Sequence, residues 1–98
     1  MTIRTIWGTV NANGTILSGS GDFSVNRVDN GQYQIQFNDD FAATPAMVGS
    51  QVLYGKLSEN PVDNVVFPFL NKNGATAITG DSEGKHTDRS FSFIATGV

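Results

Sequence analysis

The chain has 98 residues, no cysteine and a single histidine, which implies one small domain without a disulfide framework or a thiol-ligated zinc site. Six basic residues stand against nine acidic ones, a formal charge of −3, and no basic stripe offers itself to nucleic acid. Only 15% of residues are charged, well below the ordinary quarter, and Asn, Ser, Thr, Gln and Gly fill their places. The longest apolar run, VVFPFL at residues 65–70, is short and holds Pro68, so no membrane span is expected. The start, MTIRTIWGTV, lacks the continuous apolar segment of a secretory signal. The expected location is the cytoplasm, or outside it by a non-standard route.

Alternation and turn signals recur along the chain while helical periodicity is almost absent, a pattern that predicts all-β structure. IRTIWGTVN (3–11) reads as a first strand with Ile6 and Trp7 on opposite faces. NANG (11–14) follows as a tight turn suited to the type I′ hairpin. TILSGSG (15–21) and DFSVNRV (22–28) are the second and third strands, and DNG (29–31) is the strongest hairpin signal in the chain. In QYQIQF (32–37), Tyr33, Ile35 and Phe37 share one face and three glutamines the other, because strand side chains alternate. Phe41 is placed to plug the end of the core, and Pro45 holds Thr44 extended before the next strand.

MVGSQVL supplies a fifth strand over 47–53, and KLSENPVDN (56–64) a long polar loop. VVFPFLNK (65–72) is the sixth strand; Pro68 assigns it to a sheet edge or a bulge, since proline cannot donate to a ladder. NKNG (71–74) turns the chain as NANG does, ATAITGD (75–81) is the seventh strand, and SEGKHT (82–87) a charged loop. DRSFSFIATG (88–97) closes the chain with Phe91 and Phe93 on one face and Ile94 on the other. Apolar groups on both faces predict a strand that is central, or buried at a subunit contact. The expected fold is one antiparallel β-sandwich of about six to eight strands over residues 1–98.

The residues argue against catalysis. His86 has Asp81, Glu83 and Asp88 near it in sequence, but no serine stands in a nucleophile elbow and SGSGD has the wrong spacing. Asp39 and Asp40 are neighbours that point to opposite faces of an extended segment, poor geometry for flanking a glycosidic bond. Asp81, Glu83 and Asp88 do not fit the twelve-residue calcium loop, so no metal or cofactor is assigned.

With Phe37, Phe41, Pro45 and the closing FSFIATG, the layout over about residues 32–97 resembles H-type lectins, small antiparallel β-sandwiches that assemble as trimers or hexamers and bind N-acetylgalactosamine. It is also similar to the β-sandwich heads of bacterial collagen-like and phage fibre proteins. The lectins carry a Trp-His pair before the last strand; GKHTDRSFSF offers His86, with Lys85 in the place of the tryptophan. The resemblance thus implies a multivalent, non-catalytic carbohydrate-binding module, with the specific sugar left open; a structural assembly domain without a ligand is the alternative.

The expected ligand surface is the loop holding Asp81, Glu83, His86, Asp88 and Arg89, together with Asp63 and Asn64. A chain this short has little core to spare, so self-association as a homotrimer or hexamer is expected through Tyr33, Gln34, Gln36, Phe91 and Phe93.

Overall fold

A computed structural model describes residues 2–98, and among them every regular element is a strand. The eight strands are β1 (Arg4–Val10), β2 (Ile16–Gly19), β3 (Phe23–Asp29), β4 (Gln32–Phe37), β5 (Ala46–Gln51), β6 (Asn64–Asn71), β7 (Gly74–Gly80) and β8 (Phe91–Gly97). They form two antiparallel four-stranded sheets, ordered β2-β1-β8-β5 and β3-β4-β7-β6. The sheets face each other as a sandwich, and alternation sends every second side chain into the space between them.

That space holds Ile6, Val10, Phe23, Tyr33, Ile35, Phe37, Phe41, Val65, Phe91 and Phe93 as one cluster. Its aromatic rings interlock: Phe23 meets Phe93 edge-on at 5.1 Å, Phe37 meets Phe41 at 5.2 Å, and Tyr33 meets Phe91 at 5.1 Å. Such edge and tilted contacts suit the ring quadrupoles and let large side chains fill a thin layer. Phe41, outside any strand, closes the end of the core as its spacing predicts, with the Arg4 guanidinium 4.6 Å above its ring. The Tyr33 hydroxyl, carried into this layer, donates to Ala12 O at 2.7 Å.

The burial of Tyr33, Phe91 and Phe93 corrects one expectation. The sequence places these three at a subunit contact, yet the chain's own two sheets enclose them completely or nearly so. The physical reason is the register: β8 lies between β1 and β5, and its phenylalanine face turns inward onto β3 and β4 of the other sheet. The outward residue, Ile94, is half exposed, as is Trp7 opposite it on β1. Trp7 therefore belongs to neither the core nor its margin.

Pro68 sits where its missing N–H predicts. β6 is an edge strand, and its register with β7 shifts between Val66 and Phe69. The turn chemistry departs from expectation in a definite way. In NANG and DNG only the glycines, Gly14 and Gly31, have positive φ (93° and 62°), so neither is the type I′ turn, which needs it at both central residues. In the first, Gly14 N–H bonds Asn11 O, and Asn11 N–H bonds Thr15 O, a wider closure. In the second, one distant and one local contact hold the turn: Asp88 Oδ1 accepts the Gly31 N–H at 2.7 Å and Arg27 Nη2 donates to Asn30 Oδ1. A side chain at Gly31 would also collide with Thr79 O.

Candidate functional site

The segment from Asp81 to Arg89 leaves β7, bends back along it and enters β8. Hydrogen bonds set the first part of its path. Asp81 Oδ1 accepts the N–H groups of Glu83 and Lys85, both at 2.9 Å, and Asp81 N–H bonds Lys85 O. These backbone donors, that of Lys85 foremost, hold the Asp81 carboxyl below the usual carboxylate range. His86 then forms a bridge with Gly80, and Thr79 and Thr87 exchange backbone and hydroxyl bonds.

The structure divides the seven expected ligand residues. Asp88 is taken up in the fold: besides the Gly31 N–H it accepts Arg27 Nε at 2.9 Å. Burial pushes this carboxyl up, but the Arg27 guanidinium and the Gly31 amide outweigh it and hold it below the ordinary value. Arg89 and Asp63 pair with each other at 3.2 Å, their side chains only 18% and 5% exposed. The guanidinium also lies 5.2 Å from the Tyr54 ring. The pair pins the 52–63 loop to the start of β8. Asp88 and Arg89 border a different hollow, of about 290 Å³, beside Asn11, Leu53, Tyr54 and Ser90. Glu83 has its side chain in solvent.

Asn64, Asp81 and His86 do come together. They border a groove of about 430 Å³ on the outer side of the second sheet. Its floor is apolar, from Val62, Val66 and Ile78; its rim is polar, from Asn64, Ser82, Asp81 and His86. Val66 and Ile78 face each other across the β6–β7 ladder, which brings them to one spot on the outer face. Behind the groove, Gln51 donates from Nε2 to Asn64 O and Gly80 O, both at 2.7 Å, tying the edge of the first sheet to the second.

No protein-family model, curated protein or solved structure matches this chain. The site's chemistry must therefore be read from its own residues. An apolar floor under a few convergent polar groups is the ordinary make-up of a small-ligand site. Among the described residues no three acidic or histidine side chains converge as they would around a metal ion, and no helix is long and apolar enough to cross a membrane.

Val62, Val66 and Ile78 are the groove side chains that lie outside the expected ligand surface. Strand alternation places Val66 and Ile78 outward, but that they lie side by side depends on a bulged ladder. Gln34 and Gln36, expected at a subunit contact, point outward from β4 on this same face.

The Asp88 geometry carries a pH prediction. A carboxylate with a lowered folded value stabilises the fold fully above its unfolded pKa, about 3.9. That contribution is lost as pH falls through the lower folded value. In denaturant titrations, stability should show no Asp88-dependent change above about pH 4 and an acid decline below it. Asp88→Asn should be less stable at neutral pH and show a shallower decline. An identical acid profile in the variant would refute the assignment.

Proposed function

We propose that this protein is a non-catalytic, lectin-like binding module that takes a neutral, hydroxyl-rich ligand, a carbohydrate, in the groove between Asn64 and His86. The observation that carries this reading is the division of labour among the loop's charges. Arg89, Asp63, Asp88 and Arg27 neutralise one another in pairs, while the groove presents an apolar floor and a mostly neutral rim. A sugar offers the complement: C–H faces for Val62, Val66 and Ile78, and hydroxyls that both donate and accept at Asn64, Ser82, Asp81 and His86. Asp81, fixed as a carboxylate by its backbone donors, retains acceptor capacity in Oδ2.

A glycan array, followed by titration with the saccharides that score, tests the reading. His86→Ala and Asn64→Ala should each weaken binding of those saccharides by about tenfold, the loss of one or two hydrogen bonds to the ligand. Both side chains lie at the surface, so thermal stability should hardly move. Silence across the array, or binding indifferent to both substitutions, would defeat the proposal.

Multivalency is part of the proposal, since weak single sites gain avidity when copies are linked. With the phenylalanines of β8 enclosed, association uses the outer face of the first sheet. There Trp7, Ile94 and Val48 form one row across β1, β8 and β5, each directly paired to the next. In the flanking rows Thr5 bonds to Thr96 and Thr9 to Ser92, with Ala46 and Ser50 beside them on β5. This uncharged face also favours the second reading, a structural assembly module whose trimer or hexamer is its purpose. Sedimentation of the parent and of Trp7→Ser tests the association that both readings share, a concentration-dependent oligomer that the substitution dissolves; the glycan array separates them, since an assembly module binds no saccharide.

A further inference from the structure

The groove at His86 is one end of a longer feature. β7 runs through the middle of the outer face of the second sheet, and its outward positions are Gly80, Ile78, Thr76 and Gly74. They are small or of middle size, and Thr76 is almost wholly shielded. The neighbouring strands carry longer groups in register: Gln32, Gln34 and Gln36 on β4, and Val66, Phe69 and Asn71 on β6. Low residues flanked by tall ones make a trough along β7. A second hollow of about 150 Å³ marks its far end, bordered by Gln34, Gln36, Phe69, Asn71 and Asn73.

Three properties of this trough point to the same occupant. Its outward side chains on β4, β7 and β6 include no charged group, in a chain whose formal charge is −3. Its amides are held ready to donate: Gln34 Oε1 accepts the Thr76 hydroxyl at 3.0 Å, and Asn71 Oδ1 accepts the N–H groups of Asn73 and Gly74. Each carbonyl being engaged within the protein, each NH₂ is left to an external acceptor. Phe69, 70% exposed, stands on the β6 wall beside them as an aromatic surface. Water gains nothing from an exposed ring, whereas the C–H face of a pyranose does.

We infer that the trough binds an extended, uncharged polysaccharide chain lying along β7, with Phe69 stacking one sugar and Gln34, Gln36 and Asn71 bonding its hydroxyls. This rests on the proposed carbohydrate function and narrows it from a single sugar to a linear β-linked glycan. The seven residues of β7 extend about 20 Å, the length of several pyranose units. A flat, straight ligand suits a straight strand; a coiled α-linked chain does not.

Calorimetric titration with cello-oligosaccharides, from the disaccharide through the tetrasaccharide to the hexasaccharide, tests the inference. Affinity should rise about tenfold or more from the shortest to the longest as the far end of the trough becomes occupied. Phe69→Ala should lower hexasaccharide affinity about tenfold and leave the disaccharide bound at the His86 end unchanged. Gln36→Ala should act in the same direction with a smaller loss. Maltohexaose should bind no better than a disaccharide. Affinity independent of chain length, or untouched by Phe69→Ala, would overturn the extended site while leaving the His86 groove standing. No binding of any cello-oligosaccharide would overturn it too, and the single-site reading would then rest on the glycan array alone.

Discussion

Phe91→Ala should lower the unfolding free energy by about 3–5 kcal/mol, equally at low and high protein concentration. Phe91 lies wholly within the sandwich, in contact with Tyr33 and 6.5 Å from Phe93, ring centre to ring centre. Its removal takes away apolar burial and leaves a void that the interlocked rings around it cannot close, because each is held by a strand backbone. For a domain of this size the loss takes most of the ordinary stability margin. Concentration is the informative variable. If Phe91 bridged subunits, the effect of its loss would itself change with protein concentration, acting mainly on association rather than on the fold. Unfolding curves at two concentrations decide the matter. A small, concentration-dependent effect would return Phe91 to a subunit contact.

Arg89→Met should cost about as much, again about 3–5 kcal/mol, through a different mechanism. The substitution keeps an apolar stem of similar length but leaves Asp63, 5% exposed, without its cation. The intact pair itself adds little net stability, since Asp63 Oδ1 and Arg89 Nε are both shut away without a partner. Breaking it is the costly change, because a lone buried charge remains. The double substitution Arg89→Met with Asp63→Leu should therefore recover much of the loss, a coupling that a thermodynamic cycle measures. Saccharide binding supplies the second readout. The folded fraction of Arg89→Met should keep its affinity at the Asn64–His86 groove, which Arg89 does not border. Unchanged stability with binding abolished would instead make Arg89 a ligand residue.

The Arg89 outcome belongs to a wider arrangement. Residues far apart in the chain lock the ends of the sandwich: Asp88 with Arg27 and Gly31, Arg89 with Asp63, Gln51 with Asn64 and Gly80. These locks consume the charges that made the 81–89 loop attractive as a ligand surface. What remains free is the neutral outer face of the second sheet, where the proposed sugar sites lie.

Local physics made the strands legible in the amino-acid order. The alternation of Tyr33, Ile35 and Phe37 with glutamines reports a half-buried strand, because successive side chains point to opposite faces. Pro68 reports an edge or bulge because it lacks a donor, and the glycine turns separate β3 from β4 and β6 from β7. From such signals the all-β class, the eight strands, the inward Phe41 and the two-faced character of β8 could be read directly. Beyond the hairpin neighbours β1–β2, β3–β4 and β6–β7, which strand lies beside which could not, since pairing joins residues as distant as Arg4 and Gly97, and nothing in a local window carries that separation. Only the tertiary structure turned Phe91 and Phe93 onto their own core, matched Asp88 to Arg27, and set Phe69, Thr76 and Gln34 in one row. The reason is physical: a side chain's own alternation sets which way it points, but its partner is set by the packing of the whole chain.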